Sequence, residues 1–460
     1  MKTTPARPEA FKLLMEGSAA FADIEEHGMK IDVPYLDRAI EWSGKRIKEL
    51  EAELREDEIY KVWRKYYGED ADLGKRQQLG NVIFNLLKYP CKSFNKAGKP
   101  KTDEEAFEDI DLPFVKKWTD HEKLKRCRTT DLIGTKRETD SDGFLHPFFH
   151  LHLATTYRSS SSDPNFQNKP NRDRRLAKLV RSAFVPRGED YCLIEADFGA
   201  QEFKGAACFW KDPGMVAYAS NPDLDVHRDM AAECYLLNRD QVSKDARSFA
   251  KNKFVFPTLY GSYWKSTGND LWTFIEKAHL TTKDGVCLYE HLKKKGIKDQ
   301  DAFVQHIKKV EEAFNKKFPT WSEEKTKWWE SYIKNGEFPL MTGFVCRGVY
   351  SYNNLMNTPI QGPSFHCLLW SVIQLNRWLK EKKMRSRVIG QIHDSIAIDA
   401  HKDELQDVLD ATKRVMEFDV RRHWDWIITP LMVEVDVAFT NWFEKAPWVE
   451  TPGGNWSSKA

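Results

Sequence analysis

The chain lacks several features that would set it apart from ordinary globular proteins. It has no strong net charge, because 71 Lys and Arg residues nearly balance 69 Asp and Glu residues. No run approaches the ~18 consecutive apolar residues that a membrane-spanning helix needs, and no apolar signal segment follows Met1. Its eight cysteines are scattered without a C-x-x-C pair, which argues against a disulfide framework and a structural zinc site. These absences predict a soluble intracellular protein with reduced thiols and no membrane partner.

The length and the hydrophobic periodicity limit the possible organisation. At 460 residues the chain can form two or three domains of ordinary size. Helical periodicity dominates residues 8–58 and 203–345. Asp32, with Pro34 after it, marks the start of a second helix within the first of these stretches. A further helix is expected from about residue 363 to 380, and the Pro-, Gly- and Ser-rich tail after Glu444 is expected to be flexible.

Two aspartates carry most of the chemical information. Asp197 follows the apolar, strand-like run 191–196, and Asp394 lies between the apolar runs 388–392 and 395–399, as at the tip of a β-hairpin. A single aspartate at a strand end is usually a turn or cap residue. Two carboxylates held in one small sheet suit Mg²⁺, which prefers rigid oxygen ligands beside substrate phosphates. Together with the basic and aromatic helix at residues 247–261, they indicate phosphoryl transfer on a nucleoside triphosphate.

Seven segments in a fixed order resemble the family A DNA polymerases, the bacterial polymerase I type, and in particular a phage relative. The segments are residues 27–32, 156–168, 197–204 (motif A), 247–261 (motif B), 357–362, 391–394 (motif C) and 431–442. Each motif alone is a weak signal, whereas the ordered series is a strong one. The resemblance covers roughly residues 20–443. It implies an α+β fold shaped like a right hand, with an antiparallel-sheet palm and mostly helical fingers and thumb.

The resemblance also implies a division of the chain. Its parts are an N-terminal helix leading into the thumb (1–31), the thumb (32–130), a first part of the palm (131–215), the fingers (216–345), a second part of the palm (346–443) and the flexible tail (444–460). Only 26 residues precede His27, whereas a 3′–5′ exonuclease domain needs on the order of 100 residues or more. We therefore expect synthesis without intrinsic proofreading, unless a separate chain supplies it.

The implied activity is that of a template-directed DNA polymerase, which adds deoxynucleotides to a primer 3′ end by two-metal phosphoryl transfer. The implied cofactors are two Mg²⁺ ions, for which Mn²⁺ could substitute. The implied partners are primer–template DNA and dNTPs, with a separate exonuclease or processivity factor as further candidates. The chain is expected to act as a monomer in the cytoplasm, which would be that of the bacterial host for a phage protein.

Individual residues take their expected roles from the matching motif positions. The implied catalytic residues are Asp197 and Asp394, which would ligate the metal ions together with the main-chain carbonyl of Phe198. The implied nucleotide-binding residues are Gln201, Glu202, His227, Arg247, Lys251, Phe256 and Tyr260. Among them, Glu202 would be the steric gate that crowds a ribose 2′-hydroxyl.

The implied DNA-binding residues belong to the primer end, the minor groove and the duplex backbone. They are Arg158, Asn165, Gln167, Arg172, Asn357, Gln361 and His393, joined by Lys75 and Arg76 at the tip of the thumb. Minor-groove acceptors are common to all correct base pairs, which suits an enzyme that must accept any matched pair. For Lys75 and Arg76, a solvated turn without a role in DNA binding is an equally good interpretation.

Two positions depart from the family pattern. Ser395 stands where the family usually has a glutamate after the motif C aspartate, so metal binding would depend more heavily on Asp197 and Asp394. Tyr157 stands where the family has a glycine before Arg158, which leaves the backbone geometry at this position open.

A third departure concerns the spacing in motif B. Arg247 and Lys251 are four residues apart, but Phe256 lies five beyond Lys251. In a regular helix Phe256 would then lie about 180° from Arg247. One inserted residue held in a π-bulge would return Phe256 to the nucleotide-binding face, and Pro257 favours such a distorted turn. We predict a widened turn between Lys251 and Pro257. The alternative is a regular helix that turns Phe254 toward the substrate.

Two rival functions remain open. A single-subunit RNA polymerase shares the palm and often has the His-Asp-Ser order of residues 393–395, but the bulky Glu202 and the hydroxyl-free Phe256 oppose ribonucleotide use. A catalytically inactive DNA-binding homologue would keep the fold, but the intact pair Asp197 and Asp394 opposes this interpretation. A reverse transcriptase has less support, since the series of motifs is not of that type.

Overall fold

The computed structural model describes residues 4–5, 7–91, 94–95, 98–103, 106–107, 110–277 and 279–459. Its strands in chain order are β1 (Thr4–Pro5), β2 (Met29–Lys30), β3 (Phe144–Leu145), β4 (Phe148–His150), β5 (Ser160–Ser162), β6 (Tyr191–Phe198), β7 (Glu337–Pro339), β8 (Phe344–Arg347), β9 (Arg387–Ile392), β10 (Ser395–His401), β11 (Val433–Ala438), β12 (Ala446–Glu450) and β13 (Trp456–Ser458).

A six-stranded sheet lies at the centre of the molecule, in the order β13-β12-β11-β6-β10-β9. All of its pairings are antiparallel. Strand β6 lies between strands from the far end of the chain, so that Asp197 faces Ser395 of β10 on one side and Glu434 of β11 on the other. The predicted hairpin at motif C is confirmed, because β9 and β10 pair directly on either side of His393 and Asp394.

The helices before β3 form a first helical region. They are α1 (Pro8–His27), α2 (Val33–Glu56), α3 (Glu58–Tyr67), α4 (Arg76–Gly80), α5 (Pro113–Arg126) and α6 (Gly134–Glu138). The expected start of α2 is confirmed, since the Asp32 carboxylate accepts a hydrogen bond from the Tyr35 main-chain N–H at 2.9 Å. The outer part of the region has a hydrophobic core of its own, which includes Leu54, Trp63 and Trp118.

A second, larger set of helices lies between β5 and β7. These helices are α7 (Arg174–Arg181), α8 (Gln201–Trp210), α9 (Pro213–Ser220), α10 (Val226–Tyr235), α11 (Lys244–Ala250), α12 (Phe256–Leu259), α13 (Trp264–Lys277), α14 (Leu288–Lys294), α15 (Gln300–Lys317) and α16 (Pro319–Asn335). They share one continuous hydrophobic core with the central sheet, so this region is anchored to the sheet that carries Asp197.

The last helices are α17 (Tyr352–Glu381), α18 (Leu405–Lys413) and α19 (Val420–His423). Helix α17 begins eleven residues before the position that we expected from the sequence, and it includes Pro359 and Pro363. Most of its side chains are buried, from Leu355 to Leu379, which indicates that tertiary packing outweighs the local tendency of proline to end a helix.

The expectation of a flexible tail after Glu444 is wrong for the described residues. Strands β12 and β13 extend the central sheet beyond β11. The Trp456 side chain is only 6% exposed, and its Nε1–H donates to Asp410 Oδ1 at 2.8 Å. The tryptophan fixes this segment because burying an indole with its N–H satisfied is favourable.

The fold is of the α+β class that the sequence analysis expected. Among the helices of the described residues, none has the combination of length and apolar character that crossing a bilayer requires.

Candidate active site

The structure brings Asp197 and Asp394 together at one end of the central sheet. Asp197 is the penultimate residue of β6, and Asp394 lies in the turn between β9 and β10. The Phe198 main-chain N–H donates to the Asp394 carbonyl oxygen at 3.3 Å. His393 adopts a φ of +51°, which tight hairpin turns use. A main-chain hydrogen bond therefore joins the end of β6 to the hairpin turn, although the two segments lie almost two hundred positions apart in the chain.

The carboxylates form an electronegative floor. Burial, together with the nearby Asp394, Glu195 and Glu434 carboxylates, raises the pKa of Asp197 to about 7. A divalent cation would relieve this repulsion, so the oxygen donors present fit Mg²⁺. Within the described part of the chain, no group of three or more His, Cys, Asp or Glu side chains could hold a metal ion.

Ser395 does not supply a further ligand to this floor. Its side chain is 3% exposed, and its hydroxyl donates back to the Ile392 carbonyl oxygen at 3.0 Å. The sequence analysis assigned the ions to Asp197, Asp394 and the Phe198 carbonyl, and the Ser395 hydroxyl adds no ligand to this set.

Arg158 contacts the catalytic candidate Asp394 directly. Its Nη2 lies 2.8 Å from Asp394 Oδ1, and each side chain is 24% exposed. The sequence placed Arg158 near a primer end but gave no sign of this ion pair. The pair compensates part of the negative charge of the floor.

The predicted widened turn in motif B is confirmed. Residues Lys251–Val255 form a π-helical turn between α11 and α12. The Phe256 and Tyr260 rings are nearly parallel, with centroids 6.1 Å apart and an interplanar angle of 11°. Phe254 is fully buried, so the alternative that turned this ring toward the substrate is wrong.

A cationic wall lines the same cleft as the two carboxylates, a cavity of about 810 Å³ that Gln201 and Glu202 also line. Arg247, Lys251, His227 and Phe256 belong to this wall. The Lys251 Nζ lies 5.5 Å from the Phe256 ring centroid, and the His227 ring lies 5.4 Å from it. Burial lowers the pKa of His227 to about 3, helped by the charges of Lys251 and Arg247, so this imidazole is neutral at physiological pH.

Asp225 organises two of these residues, which the sequence analysis did not foresee. Its Oδ2 lies 2.6 Å from Arg247 Nε, while its Oδ1 accepts a hydrogen bond from the His227 main-chain N–H at 3.1 Å. Asp225 is the N-cap of α10, and an aspartate before a helix start is the one local signal that could have pointed to it.

Glu202 and Gln361 form a polar contact beside the catalytic floor. The Gln361 Nε2 donates to Glu202 Oε1 at 3.1 Å, and burial raises the pKa of Glu202. Burial also raises the pKa of Tyr260 well above its ordinary value, with the Glu202 charge as the next cause. Gln201 is buried and points to the Ser364 carbonyl oxygen of α17, 3.4 Å away.

Four of the expected DNA-binding residues line a second cavity of about 1280 Å³. Asn165, Gln167, Arg172 and His393 share it with basic residues that the sequence analysis did not assign, namely Lys123, Arg126 and Arg137. This groove lies between residues 123–137 and residues 161–176, and His393 of the hairpin turn also lines it.

Gln167 also belongs to a hydrogen-bonded network behind the hairpin turn. Its Nε2 donates to Gln391 Oε1 at 2.6 Å and to Ser159 Oγ at 2.8 Å. The Gln391 Nε2 donates to the His393 carbonyl oxygen at 2.6 Å. Gln391 is fully buried, so the network fixes the turn that carries Asp394.

The remaining expected DNA-binding residues lie elsewhere. Asn357 lies on α17, four residues before Gln361. Lys75 and Arg76 lie at the start of α4, in the outer part of the first helical region. Lys75 is exposed and Arg76 is partly buried, and neither lines the two cavities described above.

Comparison with known sequences shows the relatives of this chain. The family model of DNA polymerase family A matches residues 42–444. The chain is 24% identical to the DNA polymerase of Bacillus phage SP01, over 88% of this chain and 47% of that protein. It is 27% identical to DNA polymerase I of Bacillus subtilis, over 88% of this chain and 43% of that protein. The chain thus spans about half the length of the curated relatives that it matches.

A solved structure supports the architecture. The POL domain of Pol1 from M. smegmatis, in complex with DNA primer-template and dNTP, matches with a TM-score of 0.73 at 21% identity, over 94% of this chain and 70% of that chain. At this identity the likeness concerns the fold, and it confirms the expected right-hand α+β architecture. Since the family model covers most of the 460 residues, the chain belongs to DNA polymerase family A.

Proposed function

We propose that this chain is a template-directed DNA polymerase that adds deoxynucleotides to a primer 3′ end. The observation that carries the proposal is that Asp197 and Asp394 line the same cleft as Arg247 and Lys251. Carboxylates for divalent ions and cations for phosphates on facing walls are what phosphoryl transfer requires. Membership of the family, with its polymerase relatives, supports the same activity.

The proposed metal ligands are Asp197, Asp394 and the Phe198 carbonyl, holding two Mg²⁺ ions or, as substitutes, Mn²⁺. Bound in this way, the ions would polarise the primer 3′-hydroxyl and stabilise the leaving pyrophosphate. The chain's own charges support this arrangement, because Asp197 and Asp394 repel each other without a cation.

The cationic wall would bind and orient the nucleotide. Arg247 and Lys251 provide positive charge for the triphosphate, and the neutral His227 can donate one hydrogen bond. Phe256, brought onto this face by the π-helical turn, would stack on the sugar and base, and Tyr260 would guard the template position. Gln201 and Glu202 complete the nucleotide site.

Glu202 would select the sugar. Its side chain is held by Gln361, so it cannot swing aside without losing that hydrogen bond, and a ribose 2′-hydroxyl would be crowded. This arrangement favours a DNA polymerase over the RNA polymerase alternative.

Primer–template DNA would lie in the groove lined by Asn165, Gln167, Arg172 and His393. We assign residues 131–215 and 346–443, which carry β6, β9, β10 and β11 of the central sheet, to the palm, residues 216–345 to the fingers and residues 32–130 to the thumb, entered through residues 1–31. Strands β12 and β13 extend the palm. Arg158, Asn357 and Gln361 would contact the primer end and minor groove, and Lys75 and Arg76 the duplex backbone. We further propose that the chain acts as a monomer.

A primer-extension assay with Mg²⁺ and dNTPs tests the proposal. The wild-type chain should extend the primer according to the template. Asp394→Ala should lose on the order of several kcal/mol of transition-state stabilisation, about a thousandfold or more in kcat. Asp301→Ala, at an exposed position on α15, is the matched control and should extend normally. Binding of DNA without extension by the wild-type chain would support the inactive homologue instead.

A further inference from the structure

Tyr157 has a backbone conformation that its side chain does not favour. Its φ is +59°, in the left-handed region that residues with a Cβ rarely adopt and glycine adopts readily. A bulky residue persists there only when the surrounding structure compensates. The compensation should therefore be visible around the ring.

The Tyr157 ring occupies an aromatic socket formed by β8 and α17. It is 2% exposed, and its centroid lies 4.4 Å from that of Phe344 and 6.1 Å from that of His366. The Phe344 and His366 rings stack on each other, with centroids 4.4 Å apart. The Tyr157 hydroxyl donates to the Val345 carbonyl oxygen at 3.2 Å. Two rings and one hydrogen bond thus hold this residue.

The backbone just before Tyr157 is also held. A Cβ on Gly362 of α17 would lie 2.9 Å from the Thr156 carbonyl oxygen, so the helix and this segment are in close backbone contact. Gln361, the residue before this glycine, is the one that donates to Glu202. The segment is therefore fixed against the same helix that holds the proposed sugar gate.

The residue that follows, Arg158, reaches Asp394. Because the left-handed turn at Tyr157 sets the direction in which the chain leaves the socket, it also sets where the Arg158 side chain begins. An unbroken series of contacts leads from the socket of Phe344 and His366 through Tyr157 and Arg158 to Asp394.

We propose that Tyr157 is a positioning residue for polymerisation, whose buried ring holds the left-handed turn that aims Arg158 at Asp394. The inference rests on the proposed function. A tyrosine that merely filled the core would affect stability, but its effect on catalysis would not depend on Arg158.

The test compares single-nucleotide extension by two variants with that of the wild type. Tyr157→Gly keeps the conformation accessible and removes the ring, while Tyr157→Phe keeps the ring and removes the hydroxyl. Misplacing a group at the reacting centre costs on the order of 10- to 100-fold in rate, so we expect kcat of Tyr157→Gly to fall by about this factor. The KM for dNTP should change by less than about threefold, because the triphosphate contacts are elsewhere. Tyr157→Phe should restore kcat to within about threefold of the wild type.

The decisive measurement repeats Tyr157→Gly in an Arg158→Ala background. If Tyr157 acts through Arg158, adding Tyr157→Gly to the Arg158→Ala variant lowers kcat by no more than about twofold. The same large factor in both backgrounds, or a kcat for Tyr157→Gly equal to that of the wild type, would overturn the inference.

Phe344→Leu keeps the inference testable if Tyr157→Gly does not fold, which circular dichroism would show. It reshapes the socket without changing Tyr157, the residue with positive φ. Its effect on kcat should likewise be absent in the Arg158→Ala background. An effect that persists there would overturn the inference. A wild-type chain that does not extend primers would overturn both the proposed function and this inference. An active wild type whose kcat is unaffected by the Tyr157 and Phe344 substitutions would overturn this inference alone.

Discussion

The guanidinium of Arg158 and the carboxylate of Asp394 form an ion pair, with Nη2 2.8 Å from Oδ1. A cation that enters the site must share Asp394 with Arg158 or displace it. The same pair also keeps a positive charge beside the position that a divalent ion would take. The two proposed roles of this neighbourhood, metal binding and recognition of a primer end, are therefore coupled.

Removal of Arg158 should strengthen metal binding in the absence of DNA. In Arg158→Ala the Asp394 carboxylate is free and the positive charge is gone, so the dissociation constant for Mn²⁺ should fall by about two- to fivefold, given the modest strength of partly exposed pairs. Calorimetric titration of the DNA-free protein measures this constant. Arg172→Ala, which removes a cation from the neighbouring groove, serves as the control. Unchanged or weaker binding by Arg158→Ala would contradict the coupling.

In the metal-free protein, the contribution of Asp197 to the free energy of unfolding should decrease as pH rises from about 4 to about 7. The pKa of Asp197 is raised from 3.8 to about 7 in the folded state, so the folded protein retains a proton that the unfolded chain has released in this range. The Asp197 contribution to the free energy of unfolding therefore falls with pH across this window, and its loss is complete above it. Buried His227, whose pKa is lowered to about 3, acts in the opposite direction, so the effect of Asp197 is measured as a difference from a variant that lacks it.

Asp197→Asn removes this dependence and provides the comparison. In EDTA the variant should be more stable than the wild type at pH 8, and the difference should vanish near pH 4. Added Mg²⁺ should raise the Tm of the wild type alone. Thermal unfolding between pH 4 and 8 measures all three effects, and parallel curves for both proteins would refute the assignment.

Deletion of Asn252 should convert the π-helical turn into a regular helical turn while Lys251 and Phe256 keep their positions in the cleft. Asn252 is exposed within Lys251–Val255, and its loss would leave Phe256 four residues beyond Lys251 on the same face. We expect kcat/KM to stay within about tenfold of the wild type, whereas an alanine inserted after Asn252 rotates Phe256 by about 100° and should cost about 100-fold or more. Steady-state extension kinetics compare the two. Equal losses from deletion and insertion would contradict this account of the turn.

Glu202→Ala should narrow the preference for deoxynucleotides over ribonucleotides. Removing the side chain leaves room for a 2′-hydroxyl, and we expect the ratio of the two kcat/KM values to fall by roughly 10- to 100-fold. Gln361→Ala should have a smaller effect in the same direction, because it removes only the 3.1 Å hydrogen bond that holds Glu202. An unchanged ratio in Glu202→Ala would exclude it as the gate.

Trp456→Ala should destabilise the protein without slowing extension. The side chain is 6% exposed, and the main-chain N–H also donates to Gln406 Oε1 at 2.7 Å. Losing a buried indole costs about 3–5 kcal/mol. Val449→Ala, at a 39% exposed position of β12, should cost less than about 0.5 kcal/mol. Denaturant unfolding measures the free energy of unfolding of both variants. Equal free energies of unfolding for Trp456→Ala and the wild type would mean that the β12–β13 extension does not contribute to stability.

The sequence was most informative where a local pattern and the tertiary structure agree. The apolar runs around Asp197 and Asp394 predicted the strands, and the one-residue excess between Lys251 and Phe256 predicted the π-helical turn, because helical geometry leaves few ways to accommodate it. The expectation of synthesis without proofreading stays a prediction, which trimming of a mispaired primer would test.

The sequence was least informative where distant contacts decide the structure. The sequence analysis placed the start of α17 near residue 363, but extensive burial keeps the helix continuous through Pro359 and Pro363. The segment around Trp456 carries no strand pattern of its own and depends on pairing with β11 through β12. The contacts of Arg158 with Asp394 and of Arg247 with Asp225 join parts of the chain that local periodicity does not relate.

The position of β6 in the middle of the central sheet has a consequence during synthesis. Its partners β10 and β11 leave the ribosome roughly two hundred residues later, which at ordinary translation rates is a delay of about 10–40 s. Until then an apolar strand with two unpaired edges is exposed in the nascent protein. We therefore expect chaperones to be recruited to ribosomes that translate the region between β6 and β10. The yield of folded protein in cells should depend on the translation rate of the second half of the mRNA.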